Sequence, residues 1–438
     1  MKILHRQFKT IFGAGIVLAF FNLFSKIIGL LRDRILAGSF GAGDMLDIYY
    51  TAFRIPDFIF NLIVIGAVSA AFIPVFIEKY EKNKDSAWNL VSNFLNFSLV
   101  VIVVLSFILL IFTPQLMEYV APGFDLEKKE AAIDLTRLMF LSPIIFAIST
   151  IVGSTLQSLQ KFMAYAIAPI LYNAGIIVGA LVFAPNMEHA YMGLGWGVIL
   201  GALLHLLIQL PTLIKSGFNW KRILDFKDLA LRRIITLMIP RTIGLAALQI
   251  NFIVINAIAS TLAVGSITIF NFANHLQHLP IGFFGASLAT AIFPTFTRRA
   301  LTDRARFVQN VSSAIRNITL MVLPVSLAIY FLRFWIVDIV LGVGNFDVGD
   351  VALTAEVLGI FSFSILAYSL ILILSKAYFA VQDTRTPVIL SVVSIIVNII
   401  LSFQFSYMGI VGLAIAFSLA GNLNALLLLI GLRKIKHE

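Results

Sequence analysis

Cysteine is absent from all 438 residues, which excludes disulfides and thiolate metal centres. Charge is scarce as well. Only 12% of the residues are Asp, Glu, Lys or Arg, against about 25% in a soluble domain, so the chain cannot cover itself with a water-facing surface. A cleavable leader is not expected. The start MKILHRQFKT runs into an apolar stretch too long for a signal core and without a small-residue cleavage site, so it reads as a first spanning helix. No nucleophile–base–orienter arrangement, phosphate loop or metal motif appears. His275 and His278 stand three apart, but no third ligand has suitable spacing. The sequence therefore predicts neither an enzyme nor a cofactor.

What is abundant is apolar. Hydrophobic residues make up 60% of the chain, and the mean hydropathy is +0.98, the composition of an all-α polytopic membrane protein. Apolar runs separated by polar loops predict twelve spans, near 10–31, 46–77, 87–112, 131–157, 162–184, 191–214, 232–262, 267–297, 307–332, 351–379, 386–406 and 408–432. Internal prolines in the second (Pro56, Pro74) and eighth (Pro280, Pro294) predict kinks there. The net charge of +10 follows the positive-inside rule and does not indicate nucleic acid. Loops on the N-terminal side carry 21 Lys and Arg, whereas the opposite loops carry five: Arg32, Arg34, Lys128, Lys129 and Arg333. Both termini are expected in the cytoplasm.

The most basic loop, KSGFNWKRILDFKDLALRR from Lys215 to Arg233, is expected to form an interfacial amphipathic helix with Trp220 at headgroup level. It divides the chain into an N-terminal six-helix lobe (1–214), a cytoplasmic linker (215–231) and a C-terminal six-helix lobe (232–438). The halves echo one another. AFIPVF (Ala71–Phe76) ends the second span, and AIFPTF (Ala291–Phe296) ends the eighth. This pattern predicts a duplicated unit in parallel orientation, a transporter plan.

The polar residues concentrate between Ser25 and Phe76. Lys26, Arg32, Asp33, Arg34, Asp47, Arg54 and Asp57 all occur in or beside apolar helices, where each ionisable group costs about 2.5 kcal/mol or more on insertion scales. Seven residues separate Lys26 from Asp33, and seven separate Ser25 from Arg32, so each pair shares a helix face. Such a stripe either snorkels to the interface or lines water. Asp47, Arg54 and Asp57 either neutralise one another or hold an anion on the arginine fork.

The motifs Ser25–Lys26, Gly29, Arg32–Asp33, FGAG (Phe40–Gly43), Asp47, AFRIP (Ala52–Pro56) and GAVSAAFIP (Gly66–Pro74) resemble the MurJ/MviN family of lipid II flippases. So do QIN (Gln249–Asn251), Leu279–Pro280, the Pro294 segment and DTRTP (Asp383–Pro387). The likeness spans essentially the whole chain. It implies membership of the multidrug/oligosaccharidyl-lipid/polysaccharide exporter superfamily, with two six-helix lobes around a central cavity. It further implies a bacterial inner-membrane protein that moves a polyprenyl-diphosphate-linked peptidoglycan precursor by alternating access. On that reading Ser25, Lys26, Arg32, Arg54 and His275 contact the substrate, and Asp33 and Asp47 orient the cations. Partners would be the lipid-linked saccharide, membrane lipids and cell-wall synthesis proteins.

The sequence departs from the family at several positions. Phe60 and Asn61 stand where basic residues are usual, and Ile65 where an acidic one is. Ile255 replaces the aspartate of a sodium site whose other ligands match Asn398 and Ser402. Two further C-terminal helices found in many members have no counterpart here. The residues leave three other readings open: a flippase for another lipid-linked glycan, an amphiphile exporter coupled to cations through Asp47 or Asp57, and a non-transporting cell-wall scaffold.

Overall fold

The computed structural model describes residues 11–65 and 71–437. The opening segment MKILHRQFKT and residues Gly66–Ala70 of the GAVSAAFIP motif lie outside the described residues. Among the described residues the chain is helical throughout. In order the helices are α1 (Ile11–Phe40), α2 (Asp44–Ala52), α3 (Arg54–Phe60), α4 (Ile73–Lys82), α5 (Lys84–Ile111), α6 (Thr113–Val120) and α7 (Leu126–Met139). They continue as α8 (Leu141–Ser158), α9 (Phe162–Val178), α10 (Ala190–Leu207), α11 (Leu210–Ile214), α12 (Leu229–Ser260) and α13 (Ser266–Pro280). The last are α14 (Ser287–Thr302), α15 (Arg304–Leu341), α16 (Val348–Ala380), α17 (Arg385–Phe405) and α18 (Ile410–His437).

Among the described residues, nine helical stretches are long and apolar enough to cross a bilayer, and α12 makes a tenth despite a 49° bend. The two remaining expected spans are the polar ones. The first is α1, and the second is broken into α2, α3, a π-helical turn at Asn61–Ile65, and α4. The architecture thus accords with twelve spans.

The chain separates into two compact units. Unit 1 holds Met1–Ser39, Ile48–Val120 and Phe124–Ile250, and unit 2 holds Phe40–Asp47, Ala121–Gly123 and Asn251–Glu438. In unit 1, α9 and α10 pack with glycine against glycine. A Cβ on Gly175 would strike the Gly201 backbone, and a Cβ on Gly197 would strike that of Gly179. Small residues let two helical backbones approach to close dispersion contact, the main packing attraction available in lipid. Unit 2 has a core in which Phe296, Phe307, Ile318, Ile373 and Leu428 are fully buried.

Both units repeat the same irregularities 220 to 222 residues apart. The π turn at Asn61–Ile65 recurs at Ile281–Ala286, and Pro74 recurs as Pro294. Asn83 caps α5 through the Ser86 amide, and Asp303 caps α15 through the Arg306 amide. Asp125 caps α7, and Asp347 caps α16. Gln160 and Gln382, the two described non-glycine residues with positive φ (57° and 65°), end α8 and α16. Pro280 immediately precedes the second of these widened turns.

One expectation fails. No helix forms between Lys215 and Asp228. The polar face of α5 takes over the hydrogen bonding that a helix would have supplied. Asn93 donates Nδ2–H to the Asp225 carbonyl (3.0 Å) and accepts the Asp225 amide (2.8 Å). Asn96 donates to the carbonyls of Lys221 (2.9 Å) and Ile223 (2.8 Å), and its Oδ1 accepts the Trp220 indole N–H (2.9 Å). Ser92 Oγ accepts the Lys221 amide at 3.2 Å. With these backbone groups satisfied by side chains, the helical alternative loses its advantage. Asp228 then accepts the Ala230 amide at the start of α12 (2.8 Å) and pairs with Lys79 (3.4 Å).

Candidate functional site

The face of α1 that carries charge is not the face that carries lipid-type residues. Phe20, Phe24, Ile27 and Leu31 are exposed at spacings of four, three and four, whereas Ser25, Lys26, Gly29, Arg32 and Asp33 are buried or half-buried. A 3.6-residue period separates the two sets. The stripe read from sequence is therefore real, and it turns away from the apolar exposed face.

At its centre Arg32 is held on two sides. Its Nε and Nη2 donate to Asp33 Oδ1 at 3.0 and 2.7 Å, and its Nη1 donates to Asn173 Oδ1 at 2.9 Å. Asn173 is itself fixed, donating to the Pro169 carbonyl at 3.0 Å. The proline has no amide N–H to offer and breaks the regular ladder of α9. The side chains of Arg32 and Asp33 are 19% and 5% exposed, so the pair is desolvated and strongly coupled. Three of the five guanidinium N–H groups are committed among the described residues. Two remain. Sequence reading missed Asn173, although an amide inside the apolar run FMAYAIAPILYNAGIIV is itself a signal.

The other expected residues divide between the units. Lys26 and Arg54 are half-buried in unit 1, Arg54 as the first residue of α3. Asp47 belongs to unit 2, and the structure gives it a different task from orienting cations. It is buried, and its Oδ2 accepts the Gly265 amide at 2.8 Å. Its Oδ1 accepts both the amide (3.0 Å) and the hydroxyl (2.8 Å) of Thr268. Asp47 is thus the N-terminal cap of α13, supplied from a distant part of the chain. Gly265 has φ +85°, and a Cβ there would meet the Ala42 carbonyl, so glycine is required for the approach. Asp383, in the DTRTP motif, has the structural role expected of it: its Oδ1 accepts the amides of Arg385 (3.1 Å) and Thr386 (2.9 Å) at the start of α17.

His275 is half-buried on α13 within a polar row. Gln277 donates to Asn274 Oδ1 at 2.8 Å, and the Ser364 hydroxyl donates to Gln277 Oε1 at 3.4 Å. Asn398 donates to Asn251 Oδ1 at 2.8 Å, with Ser402 3.5 Å from Asn398 Oδ1. Ile255 is buried. Asn251, Asn398 and Ser402 include no carboxylate, and the Asn398 amide already serves Asn251, so they do not fit a charged cation site. Among the described residues no cluster of three His, Cys, Asp or Glu could hold a metal ion.

A separate polar pocket of about 350 Å³ lies inside unit 1, lined by residues of α3, α8, α9 and α10 and the turns beside them. Sequence reading named Asp57 from its wall but missed Tyr172 and His205, which come from helices far along the chain.

Comparison with known proteins gives one answer. The family model described as "Lipid II flippase MurJ" matches residues 36–437. A probable lipid II flippase MurJ of Vibrio cholerae is 31% identical, covering 97% of this chain and 83% of that protein. One from Haemophilus influenzae is 32% identical over 94% and 84%. A solved lipid II flippase MurJ in an inward closed conformation superposes with a TM-score of 0.82 at 25% identity, covering 95% of this chain and 87% of that one. An inward-facing multidrug resistance MATE transporter of the MOP superfamily shares the fold with a TM-score of 0.78 at 14% identity.

Proposed function

From the premise that this chain belongs to the MurJ family of lipid II flippases, we propose that it carries lipid II across the bacterial cytoplasmic membrane by alternating access. The observation that carries the assignment is the Arg32 guanidinium, fixed by Asp33 and Asn173 with two N–H groups uncommitted among the described residues. A planar donor fork already oriented by a carboxylate and an amide suits one oxygen pair of a diphosphate. Because its partners hold it in place, little side-chain entropy is lost when an anion arrives.

Arg54 and Lys26 supply further positive charge in the same unit, with Ser25 as a neutral donor beside Lys26. His275, on α13 of unit 2, is assigned to the head group as well. Asp33 positions Arg32 and does not touch the substrate. Asp47 leaves this list, because its oxygens cap α13. The lipid carries its own anionic head through the membrane, so no chemical step is needed, and no cofactor is invoked.

The chain is proposed to sit with both termini in the cytoplasm and to divide at the linker 215–231, in keeping with the repeated features 220 to 222 residues apart. Absence of cysteine makes the orientation directly measurable. A single cysteine placed at Gln160 or Asp383 should react only with reagents that reach the cytoplasmic side.

Function is tested by Arg32→Ala and Arg54→Ala, with lipid II translocation followed in proteoliposomes or in cells depleted of their own flippase. Each should lower transport at least about tenfold, as expected for loss of a desolvated charge-assisted contact. Unchanged transport in both variants would overturn the assignment.

A further inference from the structure

Where α15 leaves its apolar run and α16 enters its own, unit 2 holds a cavity of about 410 Å³ that the reading above does not use. Its lining is Arg333 and Phe334 of α15 with Gly349, Ala352, Leu353 and Glu356 of α16. The four α16 residues are spaced by three, one and three, so they form one helix face. No Asp, Glu, Lys or Arg occurs from Asn317 to Leu332 or from Val357 to Ser375. The two charged groups therefore stand at the same end of two adjacent apolar spans, the level of lipid head groups. Tyr330 and Trp335 flank Arg333, and Trp335 is exposed; both residue types collect at that interface.

Arg333 is built into the wall. Its Nη1 donates to the Tyr330 carbonyl, and its guanidinium carbon lies 4.7 Å from the Tyr330 ring centroid and 5.2 Å from that of Phe334. Its stem crosses Gly359, where an added Cβ would come within 2.7 Å of Arg333 Cδ. The cation is thus positioned by ring faces and one carbonyl, and the other four of its five N–H groups have no acceptor among the described residues. Glu356 is exposed and has no hydrogen bond or ion pair among the described residues. Opposite charges therefore share one cavity without closing on each other. The other acids of these helix ends lie outside the lining. Asp347 accepts the Asp350 amide, Asp350 accepts the Ala42 amide, and Asp338 is exposed beyond Arg333 on α15.

A guanidinium and a carboxylate that face one cavity unpaired complement a zwitterion. Phosphate suits the guanidinium fork, and a primary ammonium, with three N–H donors, suits the carboxylate. A purely anionic head group would be repelled by Glu356, and a quaternary ammonium has no proton to donate to it. An apolar track leads to the site. Leu320, Leu323, Leu327, Phe331 and Phe334 are exposed at spacings of three, four, four and three, one face of α15 that runs from mid-span and ends in the cavity wall.

We propose that this cavity binds a phosphoethanolamine zwitterion carried by a membrane phospholipid, with Arg333 on the phosphate, Glu356 on the ammonium and an acyl chain along the α15 track. The site is separate from the Arg32 cluster, which belongs to unit 1.

The test follows binding of dioleoyl phospholipids to the full-length protein in detergent by native mass spectrometry. In the wild type the first phosphatidylethanolamine should be held about three- to tenfold tighter than phosphatidylcholine or phosphatidylglycerol. Arg333→Ala should abolish that preference. Glu356→Gln should raise phosphatidylglycerol to parity with phosphatidylethanolamine, a change of selectivity that mere loss of structure does not produce. Soluble glycerophosphoethanolamine, the head group without its chains, should fail to displace the lipid at millimolar concentration. The proposal is overturned by equal affinity of the wild type for the three lipids, which requires no variant, or by unchanged selectivity in both folded variants. Displacement by glycerophosphoethanolamine at concentrations equal to the lipid's would overturn a lipid as the source of the zwitterion.

Discussion

Asp47 and Thr268, 221 positions apart in sequence, are joined by two hydrogen bonds to a single carboxylate oxygen, one from the Thr268 amide and one from its hydroxyl. A carboxylate that looked from sequence like part of a charged substrate cluster is the cap of a helix far along the chain, within the same unit. The buried amides at the start of α13 have no carbonyl one turn earlier, so an acceptor must come from elsewhere. An ionised one also favours the positive end of the helix dipole.

Replacing Asp47 with Ala should therefore act on stability. The change leaves buried donors at Gly265 and Thr268 without their acceptor, a cost of about 2–3 kcal/mol. Thr268→Val removes only the hydroxyl bond and should cost about 1 kcal/mol. Unfolding of the detergent-solubilised protein, followed by heat or denaturant, measures both. Equal unfolding of Asp47→Ala and wild type would remove the capping role.

The Arg32 cluster predicts a graded series for transport. Arg32→Lys keeps the charge but cannot bond Asp33 and Asn173 while presenting a planar fork, so it should recover only part of the activity lost in Arg32→Ala. Asn173→Ala leaves the cation in place but loosens it, and a loss of about threefold to tenfold in transport is expected. Translocation rates in proteoliposomes of matched protein content decide the order.

Glycines in the α9–α10 contact are predicted to be intolerant for reasons of space. Gly197→Val places carbon within the van der Waals radius of the Gly179 backbone and should cost about 1–3 kcal/mol or prevent assembly. At Gly29 the nearest atom to an added Cβ is Asn173 Nδ2 at 4.0 Å, an ordinary contact, so Gly29→Ala should fold normally. Yields of monodisperse protein after extraction give the comparison.

The extended linker predicts a protease-sensitive variant. Asn93→Ala strips both hydrogen bonds that hold Asp225 to α5, and backbone between 218 and 228 should then be cut faster than in the wild type. The folded helical units should remain intact on the same gel. If the cutting rate does not change, the Asn93 bonds to Asp225 are not what holds this stretch of the linker.

At the end of α4, Glu78 accepts hydrogen bonds from Lys82 (2.9 Å) and Arg233 (2.7 Å), and these hold its carboxyl below the usual range. A carboxyl depressed in the folded state contributes its stabilisation above the unfolded value, near pH 4.5, and loses it as pH falls through the depressed one. The group is fully exposed, so the contribution is small and screened by salt. Lys82→Ala or Arg233→Ala should bring the titration of Glu78, read by a site-specific probe, back toward pH 4.5.

By itself the sequence determined the bilayer as solvent and the spans within it. Runs of apolar residues long enough for lipid, together with the alternation of basic loops, are local properties, and they survive any rearrangement of neighbours. It also determined the polar face of α1, because a 3.6-residue period puts Ser25, Lys26, Arg32 and Asp33 together wherever the helix goes. Tertiary structure alone decided the partners. Whether Asp47 meets a cation or a helix end, whether Arg32 finds Asn173, and whether residues 215–228 coil or extend along α5 all depend on groups more than a hundred residues away. A buried polar group must be satisfied by whatever packing brings within 3 Å, and sequence spacing carries no record of that distance.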